Sequence, residues 1–190
     1  MMCKEQKSGG KWGRVEEIVY LCRNESCTLS SMRFLGNIEA KLDAKGRVFL
    51  PAAFRKVLQG CGEQGLVMRK DVFQECLVLY PESVWGEQMD SLRRRLSRWD
   101  RQEQQLFRQF VCEVEPVALD ASGRFLIPKR CLRQAGIGQD VRFIGMGDTI
   151  EVWPASGPAD PFVGPEAFGE ALQRAMVAAP GGDGGGSGVQ

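Results

Sequence analysis

The chain has no histidine among its 190 residues. That absence removes Ser-His-Asp and Cys-His catalysis, His-liganded metal sites and the usual general base of neutral-pH chemistry. Long hydrophobic runs are missing too: nothing approaches the roughly 18 apolar residues of a membrane span. The longest apolar stretch near the N-terminus, residues 18–22, is too short for the apolar region of a signal peptide. A cytoplasmic protein is therefore expected, with no membrane partner. Cysteine is present but unpatterned. Cys3, Cys22, Cys27, Cys61, Cys76, Cys112 and Cys131 are odd in number and show no CxxC spacing. The expectation is reduced thiols packed as small apolar groups. Cys22 and Cys27 have the spacing nearest to a metal pair, but no second pair completes a site. A carboxylate, lysine or cysteine enzyme is compatible with this composition, yet no motif for one occurs. The chain reads as a non-enzyme without cofactor, metal or small-molecule substrate.

What is present is ordinary for a globular protein: 43% hydrophobic and 26% charged residues, with a net charge of +1. The distribution of charge says more than its total. Residues 32–110 hold 14 Lys and Arg against 10 Asp and Glu, whereas residues 111–155 hold 5 against 6. A phosphate-binding face, if the protein has one, belongs mainly to the first half.

The most informative feature is an internal repeat. Asp43-Ala-Lys-Gly-Arg47-Val-Phe-Leu-Pro51 returns 77 positions later, without a gap, as Asp120-Ala-Ser-Gly-Arg124-Phe-Leu-Ile-Pro128. Leu77-Val-Leu-Tyr80-Pro81 is echoed by Ile150-Glu-Val-Trp153-Pro154. Two echoes in the same order imply duplication of a unit of roughly 50 residues. Each copy reads alike. A strand (through Ile38, Ala40 and Leu42, or Val114, Val117 and Leu119) enters a D-x-x-G turn of type I closed by a left-handed glycine. A short strand follows, at Val48-Phe49-Leu50 or Phe125-Leu126-Ile127. Proline then opens a short helix, at 51–58 or 128–134, and Gly60 or Gly136 stops it. A strand pair completes each copy, at 66–70 with 76–80 and at 141–144 with 149–153. Phe34, Phe49, Phe54, Leu58, Phe125 and Leu132 are the expected core. Gly145-Met146-Gly147-Asp148 is a hairpin turn and lacks the third glycine and the following helix of a dinucleotide site.

Five segments are predicted: an N-terminal extension (1–31, Met32 being a plausible start), a first unit (32–81), a helical insert (82–111), a second unit (112–155) and a tail (156–190). The insert carries an apolar stripe of Trp85, Met89, Leu92, Leu96 and Trp99 at helical spacing. Asp100 and Glu103 resemble a capping box opening a second helix with Leu106, Phe107, Phe110 and Val111. Arg93, Arg94, Arg95, Arg98 and Arg101 decorate the insert, either as a solvated face or as attraction for DNA. The tail is rich in glycine, proline and alanine and reads as disordered, with at most a transient amphipathic turn or two between 165 and 178.

The chemistry lies at the repeated turn. A glycine-tightened turn lets backbone approach a phosphate, and the arginine after it suits bidentate contact with phosphates or guanine edges. Lys45 and Arg47 are the candidates in the first copy and Arg124 in the second, where Ser122 replaces the lysine. The bland alternative is a solvent hairpin whose Asp and Gly serve only the turn. Two gapless copies that both keep the arginine argue against it.

These residues resemble a known family. Arg33-Phe34-Leu35-Gly36, Leu42-Asp43-x-Lys45-Gly46-Arg47 and Pro51-x-x-Phe54-Arg55 look like the start of MraZ proteins. Leu119-Asp120-x-x-Gly123-Arg124-x-Leu126-Ile127-Pro128 and Ile150-Glu151-Val152-Trp153 fit its second half. The resemblance covers about residues 32–155. It implies a mainly β fold with short helices, built as two tandem AbrB-like swapped-hairpin β-barrel units plus the helical insert. It also implies a ring-shaped homo-oligomer that binds short G-rich direct repeats in double-stranded DNA upstream of its own operon, the division and cell wall cluster, usually as a repressor in the nucleoid. Arg47 and Arg124, with Lys45 beside the first, are the DNA contacts it implies. Ser122 departs from the lysine common in the first copy, and the two ends of the chain are not part of the family pattern. An AbrB-like antitoxin or other protein-interaction module is the alternative of a different class, separable by salt-sensitive binding to the chain's own promoter.

Overall fold

A computed structural model describes residues 33–63, 65–157 and 160–177. The N-terminal extension, with Cys3, Cys22 and Cys27, and the glycine-rich end of the tail lie outside these residues. In chain order the elements are β1 (Asn37–Lys41), β2 (Arg47–Phe49), α1 (Ala52–Gly60), β3 (Leu66–Lys70), β4 (Leu77–Pro81), α2 (Glu82–Arg95), α3 (Arg101–Cys112), β5 (Glu115–Val117), β6 (Arg124–Leu126), α4 (Lys129–Gln134), β7 (Asp140–Gly145), β8 (Ile150–Pro154) and α5 (Pro165–Val177). The α+β class is as the sequence indicates, but the fold is mixed rather than mainly β, an antiparallel sheet with five helices among the described residues.

The repeat governs the pairing in a way its local pattern does not reveal. The strands form an antiparallel six-stranded sheet in the order β1-β7-β8-β4-β3-β5 and a separate ribbon of β2 with β6. Exchanging each strand with its counterpart in the other copy reverses the order and leaves it unchanged. The sheet therefore has a pseudo-two-fold axis between β4 and β8, at the Val78–Glu151 pair. A second equivalent centre lies in the ribbon, at the Val48–Phe125 pair. The first strand of each copy leaves its own copy and pairs with the third strand of the other, β1 with β7 and β5 with β3. This is the swapped arrangement, and it merges the copies: the described residues up to Ser156 form a single compact unit rather than two. The sheet ends on β1 and β5 and is not closed into a barrel.

Helix boundaries follow the local chemistry with small shifts. Pro51, Pro81 and Pro128 precede α1, α2 and α4 with φ of −50°, −53° and −57° and extended ψ, so proline occupies the N-cap and not the first helical position. α1 runs through Gly60. The left-handed residue that ends it is Gly62, at φ +71°. The N–H of Glu63 then donates to the Leu58 carbonyl at 3.0 Å, as that of Ile137 donates to Leu132 at 2.8 Å after α4. Both helices thus end in the same six-to-one closure.

The core draws on both copies: Phe34, Val48, Leu50, Phe54, Met68, Leu77, Leu79, Phe125, Ile127, Phe143 and Ile150 are all almost wholly buried. Phe34, Phe54, Leu58 and Phe125 are core as expected, and Leu132 packs half-buried against it. Phe49 is a correction. It is 54% exposed, because Val48 and Leu50 take the two inward positions of a strand with period two.

In the insert, Trp85 is buried and stacks on Phe110 with centroids 4.9 Å apart, tying α2 to α3. Asp100 caps α3, accepting the Glu103 N–H at 2.8 Å. The Glu103 carboxylate accepts the N–H of Ser97. Trp99 does not join the stripe: α2 ends at Arg95, Leu96 is extended, and Trp99 is 96% exposed. The described residues from Gly157 onward belong to a second unit. Its described part is α5, a helix where the composition of the tail suggests disorder. Glu166, Ala167, Glu170, Ala171, Leu172 and Gln173 are strong helix formers that the surrounding glycines and prolines obscure in an average.

Candidate nucleic-acid interface

Each D-x-x-G-R turn is fixed by its aspartate. Asp43 Oδ1 accepts the N–H groups of Lys45 and Arg47, both at 2.9 Å, and the Gly46 N–H donates to the Asp43 carbonyl at 2.9 Å. Asp120 Oδ1 does the same for Ser122 and Arg124, again at 2.9 Å. Gly46 and Gly123 lie at φ +83° and +79°, where a side chain is strained. A Cβ on Gly46 would sit 3.2 Å from the Ile127 carbonyl oxygen, and one on Gly123 would strike the Arg55 guanidinium. The turns also hold each other: Ile127 N–H donates to Gly46 O and Leu50 N–H to Gly123 O, both at 3.0 Å.

The same aspartates hold the arginine side chains. Asp43 Oδ2 accepts from Arg47 Nε and Nη2 at 2.7 Å, and Asp120 Oδ2 from Arg124 Nε at 2.9 Å. The backbone N–H of Arg47, followed by its guanidinium, holds the Asp43 carboxyl down at a pKa of about 2. The corresponding groups of Arg124 lower Asp120. Each arginine is thereby oriented before any ligand arrives, with about a third of its side chain exposed (35% and 31%). The Nη1 groups of both arginines have no partner among the described residues. A held, partly dehydrated guanidinium loses less entropy on binding than a free one.

The ribbon brings the two arginines together. Arg47 pairs with Leu126, Val48 with Phe125 and Phe49 with Arg124. Val48 and Phe125 face the core, so Arg47, Phe49, Arg124 and Leu126 share the opposite face. Arg47 and Arg124 are diagonal neighbours on it, a relation that places residues roughly 7–8 Å apart. Phe49 and Leu126 are about equally exposed, at 54% and 55%, and the Arg124 guanidinium carbon lies 5.6 Å from the Phe49 ring centroid. Lys45 is exposed on the first turn. Sequence reasoning missed Phe49 and Leu126 as surface residues. The available signal was parity, since two positions after each arginine must share its face.

The outlying basic residues play other parts. Arg93 stacks on Phe107 at 4.8 Å and fastens α2 to α3. Arg94, Arg95, Arg98 and Arg101 are exposed on the insert. Arg55 lies under the second turn, where its Nη1 donates to the Ser122 carbonyl at 3.4 Å. No group of three or more metal-ligating residues occurs among the described residues. No helix among them is long and apolar enough to cross a membrane. Cys76 and Cys131 are buried, and burial raises both thiols, Cys76 to about 12.

A family model described as "MraZ protein, putative antitoxin-like" matches residues 33–109 and again 110–157. The transcriptional regulator MraZ of Phocaeicola vulgatus is 60% identical over 145 residues, covering 76% of this chain and 94% of that protein. The protein of the same name from Bacteroides fragilis is 57% identical over 145 residues, with 76% and 92% covered. A more distant one from an Anaeromyxobacter species is 35% identical over 120 residues, covering 63% and 82%.

Proposed function

Since the chain belongs to the MraZ family of transcriptional regulators, we propose that it binds double-stranded DNA in a sequence-specific way through the outer face of the β2–β6 ribbon. The observation that carries this reading is the placement of both motif arginines, one from each copy, on one face of one short ribbon. A two-stranded ribbon is one of the two elements that the major groove admits, and arginine is its commonest reader of guanine. Arg47 and Arg124 contact bases or phosphates, and Lys45 adds attraction for the backbone. The protein is a non-enzymatic, cytoplasmic, nucleoid-associated regulator that needs no cofactor. It represses its own operon, the division and cell wall cluster, by binding short G-rich direct repeats.

One ribbon offers too few cations for tight binding in salt. A closed ring of subunits presents several ribbons to evenly spaced repeats and raises the overall affinity through effective concentration. The two sheet edges, β1 and β5, pair with no further strand among the described residues, which supports self-association. The test is footprinting on the DNA upstream of the chain's own gene, with gel shifts across a salt series and light scattering for mass. Protection of regularly spaced repeats, lost steeply with salt, is expected. Absence of protection, or a monomer mass at micromolar concentration, would overturn the reading. The exposed Phe49 and Leu126 on the same face favour a second reading, in which the ribbon docks on a protein as an antitoxin-like module would. Binding that is insensitive to salt and independent of DNA would select it.

A further inference from the structure

Away from the ribbon, a cleft of about 740 Å³ opens between α2, α3 and the loop joining β3 to β4. Its volume falls within the range of small-ligand sites. Leu92, Leu106 and Phe110 form its apolar wall on the insert, and Val72 and Phe73 stand on the loop, Phe73 89% exposed. Arg69 lines it from β3 and is only 6% exposed, the only charged side chain among the described residues to be buried.

A buried arginine is normally paired with a carboxylate. Arg69 makes no ion pair among the described residues. Its Nε donates to the Lys70 carbonyl at 3.2 Å, and its guanidinium lies 4.4 Å from the Phe110 ring centroid and 5.8 Å from that of Trp85. The rings hold the fork in place without neutralising it. The other charged groups lining the cleft, Lys70 and Arg95 against Asp71 and Glu113, cancel in sum. Lys70 Nζ donates to the carbonyls of Asp71 and Gln74, and Asp71 Oδ1 accepts the N–H groups of Phe73 and Gln74 at 2.8 and 2.7 Å. Arg95 and Glu113, of opposite sign, are both exposed. One buried positive charge is left over, beside an apolar wall of Leu92, Leu106 and Phe110 that Gln88, Ser91 and Gln109 interrupt.

We propose that this cleft is a ligand site for a monocarboxylate with an apolar body, the head pairing with Arg69 and the chain or ring lying along Leu92, Leu106 and Phe110. A guanidinium fork matches a carboxylate in shape, and a single charge matches the single uncompensated cation. The site is independent of the DNA-binding reading, since none of its residues lies on the ribbon.

The probes are octanoate and octanol, titrated into the full chain by calorimetry, with the Arg69 Nε–H resonance followed by NMR. Octanoate should bind one per chain and shift that resonance, with octanol about tenfold weaker or more, as expected for loss of a hydrogen bond to a charged group. Arg69→Met, which keeps the stem over the rings, should bring octanoate down to the level of octanol. Leu106→Trp, at a half-exposed wall position that does not support the core, should weaken both. Equal binding of octanoate and octanol to the unaltered chain, no saturable binding of octanoate, or full binding by Leu106→Trp would each overturn the proposal. All three tests hold even if Arg69→Met fails to fold.

Discussion

Replacing Arg47 and Arg124 by alanine, singly and together, gives the sharpest test of the ribbon. Each good arginine contact to DNA contributes about 1–3 kcal/mol, or roughly 5–150-fold in affinity per site. The two side chains are diagonal neighbours on one face, so they approach the same stretch of DNA and their losses need not add. Their surroundings differ. Arg47 has Lys45 two residues away in the half with 14 cations against 10 anions; Arg124 has Ser122 in the half with 5 against 6. Arg47→Ala should therefore cost more. In a ring the loss recurs at every engaged subunit, so Arg47→Ala should nearly abolish operator binding and Arg124→Ala should weaken it less. If the lost contact is to a phosphate, the slope of log affinity against log salt falls by about one per contact. The assay is a gel shift across a salt series, with melting curves and mass as controls. Both side chains are partly in solvent and neither lies in the core, so the variants should melt near the parent. Wild-type operator binding by an Arg47→Ala protein that still assembles would end the ribbon mechanism.

Four further outcomes follow from the same geometry. Phe49→Ala should leave thermal stability nearly unchanged and reduce DNA affinity modestly, whereas Phe125→Ala, its inward neighbour across the ribbon, should cost about 3–5 kcal/mol in denaturant unfolding; equal losses would put Phe49 in the core after all. Asp43 is held at a pKa of about 2 when folded against 3.8 ordinarily, so its contribution to stability is full above about pH 4 and is lost as pH falls through about 2. Asp43→Asn should flatten that part of the stability–pH curve, and an unchanged acid limb would show that the turn carboxylate is not coupled to folding. Gly46→Ala should destabilise by about 1–2 kcal/mol or more, since a left-handed backbone and a carbonyl 3.2 Å from the new Cβ leave no relief; a neutral result by denaturant titration would contradict the turn geometry. A fragment of residues 33–81 should fold only as a dimer or beside a 112–157 fragment, because β1 and β2 have their partners in the other copy; a cooperative melt independent of concentration would refute this.

The duplicated turn, its type, its left-handed glycines and the strand and helix order were legible because each depends on a few adjacent residues. The pairing was not. A D-x-x-G turn between two strands reads as an ordinary hairpin, yet β1 and β2 diverge after the single Asp43 N–H to Arg47 carbonyl bond and take partners far along the chain, β1 in Asp140–Gly145 and β2 in Arg124–Leu126. Nothing local encodes that choice; burial of both copies in one core decides it. Phe49 failed for a related reason. Val48, Phe49 and Leu50 are apolar in succession, so hydrophobicity cannot give the parity, which is fixed by the Val48–Phe125 pair across the ribbon. Trp99 kept the spacing of its helix on paper, but the helix stops at Arg95 and a period has no meaning beyond the element that carries it.

The interleaving also explains how two arginines far apart in the sequence come to stand side by side. In a simple tandem of separate domains, Arg47 and Arg124 would sit on different bodies and their spacing would vary with the linker. Pairing β2 with β6 fixes it to the pitch of a β ribbon. The backbone around this ribbon is nearly two-fold symmetric, but the side chains are not: Lys45 answers to Ser122, Phe49 to Leu126, and Arg55 under the second turn to Leu132 under the first. A symmetric scaffold with unequal charges gives the ribbon a direction. On the proposed reading, such a face would distinguish the two orientations of a DNA site, as direct rather than inverted repeats would require of each subunit.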